Sequence, residues 1–202
     1  MIYIIMCGSN HEKIRGVPRQ LVSIKGERII DRTIQLLRRN GVSDIVVTCT
    51  DDAFMGVDAE IFHYDSTGPW VNAFMKTYEP TTYIMGDVYF SPEAIRKIVE
   101  TDTNSIEFFA SAPPFALGYS KPWAEPFAFK VYDHKLLQAS IEKVKELLEQ
   151  GAWRRHPIAW ELWQVIKGTP INQIDYTNYT VINDYTCDID CEQDIRTMER
   201  LL

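Results

Sequence analysis

The chain has 202 residues, of which 46% are apolar and 24% are charged, as is usual for a globular protein with a sizeable core. Its 28 acidic and 21 basic residues give a net charge of −7, which argues against broad nucleic-acid binding because such binding neutralises many phosphates. No stretch approaches the roughly 20 apolar residues that span a bilayer, and the four cysteines follow no disulfide or zinc pattern. We therefore expect a cytoplasmic protein with reduced thiols, without a membrane or a nucleic acid as partner.

The first half of the chain alternates short apolar runs with helical patterns. Strands of the buried type are predicted for residues 1–6, 44–50, 59–65, 81–87 and 106–112. Helices are predicted for residues 28–41, 69–78 and 91–100, the last beginning at Ser91–Pro92–Glu93. This alternation predicts right-handed crossovers and a mostly parallel α/β sheet with helices on both faces.

The second half has a different rhythm. Residues 113–133 are rich in proline and aromatic residues, with one predicted strand at 127–131. Helices are predicted for residues 133–151, capped by Asp133, for the segment after Pro157 and for residues 191–202. We interpret residues 113–180 as an insertion that covers one end of the sheet, within a single domain of residues 1–202. Ligands of open α/β sheets bind beyond the carboxyl ends of the strands, so this insertion is expected to line the site.

The loop after the first strand combines a glycine with basic side chains. Gly8 lets the backbone approach a ligand closely, and successive N–H groups beside it can bind an anion. Lys13, Arg15 and Arg19 add positive charge. These features favour a phosphate-bearing ligand, and an ordinary solvated loop with scattered charges is the alternative.

Several motifs resemble those of the nucleotidyltransferases that activate sugar phosphates and phospho-alcohols. The loop at Gly8, the segment Pro18–Leu21 and the turn at Gly26 follow the order of that family's Gly-rich loop, Pro-Lys segment and strand-to-helix turn. Residues 83–91 are similar to the family's strand ending in Gly-Asp, and residues 188–202 to its closing Asp-Thr-Pro-Glu-Asp-Leu segment. The resemblance covers both ends of the chain and most of the first 100 residues, whereas the predicted insertion matches only in outline.

The resemblance implies a Rossmann-like α/β fold of the nucleotide-diphospho-sugar transferase type. It also implies transfer of a nucleoside monophosphate from a nucleoside triphosphate (NTP) to a phosphorylated sugar or alcohol, with Mg²⁺ as cofactor and pyrophosphate as product. The implied metal ligands are Asp87 and Asp190, with Asp188 as the fallback, and the implied catalytic cations are Arg15 and Arg19. The implied nucleotide contacts are Met6, Cys7, Gly8, Ser9, Asn10, Thr67, Gly68 and Gly86. Candidates to bind the acceptor are Lys121, Glu125 and His156.

The chain departs from the family pattern in its first loop. Asn10 replaces the second loop glycine, Glu12 stands where the family has arginine, and Arg19 replaces lysine. The turn at Pro18–Leu21 favours CTP as the nucleotide. The oligomeric state is open, with a homodimer among the options.

Two other functions stay open at this point. One is a glycosyltransferase that consumes a nucleotide-sugar, with Asp87 holding the metal at the diphosphate. The other is a relative without catalysis that binds a nucleotide or a partner. Locally, Asp87 could be a turn residue, Asp190 could cap the last helix in a capping box with Gln193, and Thr67–Gly68 could be a simple turn.

Overall fold

The computed structural model describes residues 1–8, 13–65, 68–111 and 124–202. In these ranges the strands are β1 (Ile2–Cys7), β2 (Lys13–Ile14), β3 (Val17–Pro18), β4 (Ser23–Ile24), β5 (Glu27–Arg28), β6 (Ile45–Cys49), β7 (Glu60–His63), β8 (Thr81–Met85), β9 (Val88–Tyr89), β10 (Ile106–Ala110), β11 (Pro126–Val131), β12 (Thr180–Val181) and β13 (Cys187–Asp188). The α-helices are α1 (Ile29–Arg39), α2 (Pro92–Glu100), α3 (His134–Glu149), α4 (Ala159–Ile166) and α5 (Glu192–Leu201). Short 3₁₀ turns lie at Arg19–Leu21, Asp52–Phe54 and Trp70–Ala73.

Seven strands form one mixed sheet in the order β12-β10-β11-β8-β1-β6-β7. The strand β1 pairs in parallel with β6 and β8, and β6 pairs in parallel with β7. Within this sheet, as far as the described residues show it, β11 is the one strand that runs antiparallel to its neighbours, pairing with β8 and β10. The register places Cys7 beside Cys49 and Met6 beside Met85, so β1, β6 and β8 end at the same edge. The predicted Rossmann-like α/β sheet is confirmed.

Two apolar clusters hold the fold together. The first packs the central strands against α1 to α4, with Ile34, Ile95 and Leu137 among its buried residues. The second joins α5 to β4 and β13, and includes Ile24 and Ile195. Because β13 pairs with β9, this second cluster fixes the segment after β13 beside the end of β8. Within the described ranges, no helix combines the length and the apolar composition needed to cross a membrane.

Two elements differ from the prediction, and a third is a strand as predicted but lies in an unexpected place. The helix expected at 69–78 is only the turn Trp70–Ala73, because Phe74 has extended backbone and its ring inserts into the core. The strand expected at 59–65 is β7, which lies at the sheet edge with mostly exposed residues and is not a buried strand. The strand expected at 127–131 is β11, which lies inside the sheet. This part of residues 113–180 therefore belongs to the sheet itself.

The helix caps show which side chains begin each helix. Ser91 accepts a hydrogen bond from the Ala94 N–H (2.9 Å) at the start of α2, and Asp133 accepts one from the Leu136 N–H (2.9 Å) at the start of α3. At α5 the capping carboxylate is Asp194, which accepts hydrogen bonds from the N–H groups of Asp190 and Cys191. The capping role considered for Asp190 with Gln193 is therefore wrong.

Lys130 on β11 provides a test of the packing between the sheet and α2. Its buried Nζ donates to the carbonyl oxygens of Ile98 (3.1 Å), Val99 (2.8 Å) and Thr101 (2.6 Å), and burial lowers the pKa of Lys130. We expect Lys130→Met to lower the free energy of unfolding by about 3 kcal/mol, because each carbonyl left without a donor costs about 1–3 kcal/mol. Urea denaturation followed by tryptophan fluorescence measures the change.

The matched control is Lys143→Met on the exposed face of α3. Lys143 makes only an exposed ion pair with Glu146 (2.8 Å), so its loss should change the free energy of unfolding by less than about 0.5 kcal/mol. Equal stability of the two variants would contradict the role given to Lys130.

Candidate active site

A cleft of about 490 Å³ lies beyond the carboxyl ends of β1 and β8. Part of its wall follows those two strands and comprises Met6, Gly8, Met85 and Asp87. A second part follows β7 and comprises Tyr64, Gly68, Pro69, Trp70, Asn72 and Ala73. The remaining wall includes Arg19, Gln20, Pro126, Arg155, His156, Ile158, Ala159, Trp160, Asp188 and Asp190. The cleft thus lies at the edge of the sheet where the sequence predicts a site.

Arg19 lies between two carboxylates in this cleft. Its side chain is only 10% exposed, its Nη2 is 3.1 Å from Asp87 Oδ2, and its Nη1 donates to Asp190 Oδ1. The Ile189 N–H donates to the Asp87 carbonyl (2.8 Å), which ties the segment after β13 to the end of β8. Three residues from distant parts of the sequence therefore form one ion-pair cluster.

Two glycines shape the floor of the cleft. A Cβ atom at Gly86 would lie 2.5 Å from Cys7 Sγ and 2.6 Å from the Met6 carbonyl oxygen, so only glycine lets β8 end this close to β1. A Cβ atom at Gly8 would overlap the hydroxyl of Tyr64, whose ring lies across the end of β1. Burial raises the pKa of Tyr64 to about 12, so its hydroxyl stays protonated at neutral pH.

The carboxylates of the cleft suit a magnesium ion that is shared with a ligand. Asp87 and Asp190 contact the same guanidinium, and Asp188 lines the same cleft. No group of three or more His, Cys, Asp or Glu side chains is arranged to hold a metal in the described ranges. Mg²⁺ commonly takes one or two carboxylates and completes its shell with waters and phosphate oxygens. The donor set therefore fits Mg²⁺ beside a phosphate.

Most of the predicted site residues that the structure describes lie in or behind the cleft. Those that line it are Met6, Gly8, Arg19, Gly68, Asp87, His156 and Asp190. Cys7 and Gly86 pack against each other directly behind it. Ser9, Asn10, Thr67 and Lys121 lie outside the described residues, as does Glu12.

Two predicted site residues lie elsewhere. Arg15 makes an exposed two-nitrogen contact with Glu192 at the start of α5, and this hydrogen bonding lowers the pKa of Glu192. Glu125 is fully buried, and its backbone exchanges hydrogen bonds with Ser111 (2.8 and 2.9 Å). Neither side chain is among the described residues that line the cleft.

The structure adds site residues that the sequence interpretation missed. Gln20 is 2% exposed and lines the cleft, and its Oε1 accepts no hydrogen bond within the described part of the chain. It lies within the Pro18–Leu21 motif, so the motif indicates its position but assigns it no role. Tyr64 and Arg155 lie in no motif. The sequence indicates them as site residues only because Tyr64 lies at the end of a predicted strand and Arg155 precedes His156.

The chain is similar to known proteins in its fold. No protein-family model matches the chain, and no curated protein matches it. Solved structures do match it, among them three that are matched over nearly the full length of both chains. The chain shares the fold of these proteins.

The first of these structures is a Bacillus anthracis protein assigned as a glucose-1-phosphate thymidylyltransferase, in complex with a sucrose. It has 16% identity, covers 100% of this chain and 94% of its own, and gives a TM-score of 0.63. The inositol-1-phosphate CTP transferase of T. maritima has 14% identity, coverages of 98% and 95%, and a TM-score of 0.59. HddC from Yersinia pseudotuberculosis, complexed with GMP-PN, has 13% identity, coverages of 98% and 98%, and a TM-score of 0.55. The fold that the sequence motifs implied is thereby confirmed.

Thiol reactivity tests the packing behind the cleft. Cys7, Cys49 and Cys187 are buried and Cys191 is exposed, and burial raises the pKa of both Cys7 and Cys49. Because the thiolate is the reacting species, we expect a single fast-reacting thiol with DTNB at about pH 8. Cys191→Ser should remove this fast phase, and unfolding the wild type in urea should expose all four thiols. Fast labelling of Cys7, located by mass spectrometry, would show that the floor of the cleft is open.

Proposed function

We propose that this chain is a nucleotidyltransferase, which moves a nucleoside monophosphate from an NTP to a phosphorylated sugar or alcohol and releases pyrophosphate. The observation that carries the proposal is the cluster of Arg19, Asp87 and Asp190 at the carboxyl edge of the sheet. Two proteins of the same fold are described as transferases for glucose 1-phosphate and inositol 1-phosphate, which supports this class of acceptor. CTP is the proposed nucleotide on the basis of the turn at Pro18–Leu21, and Mg²⁺ is the proposed cofactor.

The proposed reaction needs charge neutralisation more than proton transfer. An acceptor phosphate oxygen forms a bond to the α-phosphorus of the NTP, the bond from that phosphorus to the bridging oxygen breaks, and pyrophosphate leaves with the bonding electrons. Arg19 donates to the phosphate oxygens, since its planar fork grips two oxygens at once. Asp87 and Asp190 would hold Mg²⁺, which would supply further positive charge at the phosphates. Positioned charges of this kind account for much of the rate in such reactions.

The nucleotide is proposed to lie over the glycines of the cleft. Gly8, Gly68 and Gly86 are proposed to lie beneath it, and Met6, Cys7, Ser9, Asn10 and Thr67 are proposed as its other contacts. The free Oε1 of Gln20 suits a hydroxyl or amino group of the ligand as donor. Lys121 and His156 are proposed on the acceptor side, whereas the fully buried Glu125 is not among the described residues that line the cleft. Arg19 lines the cleft, whereas Arg15 pairs with Glu192 and is not among the described residues that line it, so Arg19 is the main catalytic cation of the proposal.

The reaction is proposed to take place in the cytoplasm, where free cysteines such as these persist. The function can be tested by incubating the protein with Mg²⁺, each common NTP and a panel of phosphorylated sugars and alcohols while monitoring pyrophosphate. We expect release that requires both substrates and is fastest with CTP. Nucleoside diphosphate released from a nucleotide-sugar would indicate a glycosyltransferase instead. Nucleotide binding without turnover would indicate a relative without catalysis.

Asp87→Asn tests the metal assignment. The substitution keeps the size of the side chain and removes the charge that holds Mg²⁺ and Arg19. We expect kcat/KM to fall by at least about 100-fold, the loss typical of removing one positioned electrostatic contact. Circular dichroism and denaturation should show that the fold is kept.

Asp58→Asn is the matched control for this change. Asp58 is an exposed carboxylate that pairs with Arg38, and neither residue is among the described residues that line the cleft, so its variant should keep wild-type turnover. EDTA should abolish the wild-type activity, and added Mg²⁺ should restore it. Near-normal turnover by the Asp87 variant would rule out the metal assignment.

A further inference from the structure

Arg155 is a second arginine in the cleft, on the segment that leads into α4. Its side chain is 49% exposed, and its Nε donates to Glu161 Oε1 at 2.6 Å. Within the described ranges, its two terminal nitrogens make no hydrogen bond. A guanidinium has five N–H donors, so most of the donors of Arg155 remain available to a ligand.

Glu161 holds this arginine from a buried position. The carboxylate is only 2% exposed, and its second oxygen accepts a hydrogen bond from the Ile158 N–H (3.0 Å) at the start of α4. Both oxygens are thus occupied, one by Arg155 and one by the backbone. An arginine whose Nε is anchored on a buried carboxylate keeps its outer edge in a fixed direction, which lowers the entropy lost on binding.

The surroundings of Arg155 favour an anion. His156, Ile158 and Ala159 line the same cleft, and the N-terminus of α4 adds partial positive charge there. Arg19 is already surrounded by the carboxylates of Asp87 and Asp190. Arg155 pairs with the single carboxylate of Glu161 through Nε, so of the two arginines that line the described cleft wall it is the one whose terminal nitrogens make no hydrogen bond within the described ranges.

Resting on the function proposed above, we infer that the outer edge of Arg155 binds the anionic group of the acceptor and that Glu161 is its positioning residue. The ligand class is a phosphate ester, since a guanidinium edge can bind two phosphate oxygens at once. Arg19 then serves the triphosphate and Arg155 the acceptor. The division predicts that acceptor affinity and NTP affinity depend on different arginines.

The kinetic test compares Arg155→Gln, Arg155→Lys and Arg154→Gln. We expect Arg155→Gln to raise the KM of the acceptor by at least about 10-fold, the loss typical of a charge-assisted hydrogen bond. The KM for CTP should change less than about 2-fold, because Arg155 does not serve the triphosphate. Arg155→Lys should recover part of the affinity. Arg154→Gln removes the same charge from the adjacent exposed residue and should leave both KM values unchanged.

Glu161→Gln tests the positioning role. The amide keeps the shape of Glu161 and removes the charge that anchors Arg155, so the KM of the acceptor should rise while kcat changes little. Its unfolding should be measured beside that of Arg155→Gln, because Glu161 also caps α4 and an unpaired buried carboxylate is destabilising. A rise in acceptor KM in a variant that is fully folded at the assay temperature supports the inference.

A binding measurement separates this inference from the proposed reaction. Isothermal titration with glucose 1-phosphate, inorganic phosphate and uncharged glucose needs no turnover. Binding of a phosphate compound that weakens in Arg155→Gln and not in Arg154→Gln supports the inference, even where no pyrophosphate is released. Pyrophosphate release with an unchanged acceptor KM in Arg155→Gln overturns the inference and leaves the proposed reaction standing. Absence of any Arg155-dependent phosphate binding or kinetics also overturns it.

Discussion

The contact of Arg19 with Asp87 and Asp190 is the interaction on which the site depends. A guanidinium that is 10% exposed is costly to bury alone, and so is a pair of carboxylates held close together. The ion pairs offset the cost of burying the guanidinium and of holding the carboxylates close together. The three side chains therefore define one position for the ends of three separate segments. The result is a cleft in which a buried positive charge faces two carboxylates, although the protein as a whole is acidic.

The central sheet could be predicted because its strands are continuous apolar runs. Residues 1–6 and 81–87 read as buried strands, and both lie in the middle of the sheet with their residues enclosed on both faces. Asp87 could be placed beyond the end of a strand because it follows an apolar run and Gly86. The structure shows that this glycine is required because a Cβ atom there would overlap Cys7 and Met6. The local sequence therefore predicts the part of the cleft wall that follows β1 and β8.

The other walls depend on contacts between distant segments, which local patterns do not encode. The turn at Trp70–Ala73 has the apolar spacing of a helix, yet its residues insert separately into the core. Arg15 lies in a loop whose composition is typical of phosphate binding. Its guanidinium instead forms an ion pair with Glu192, which is 177 residues away in the sequence. Arg155 could not be predicted as a site residue, because the orientation of its guanidinium depends on the ion pair with the buried carboxylate of Glu161. Charge and spacing therefore indicate candidate site residues, and tertiary packing determines which of them line the cleft.

The pairing of β9 with β13 has a consequence for how the site can open. Asp190 is 171 residues from Arg19 along the chain and is held by the smaller apolar cluster around α5, outside the main core. Separate clusters can come apart independently, at less cost than melting the whole protein. Detachment of α5 would carry one carboxylate away from the arginine while the seven-stranded sheet stayed intact. Hydrogen exchange would register this as faster exchange in the last helix than in the central strands, so the protein could lose its ion-pair cluster before it loses its fold.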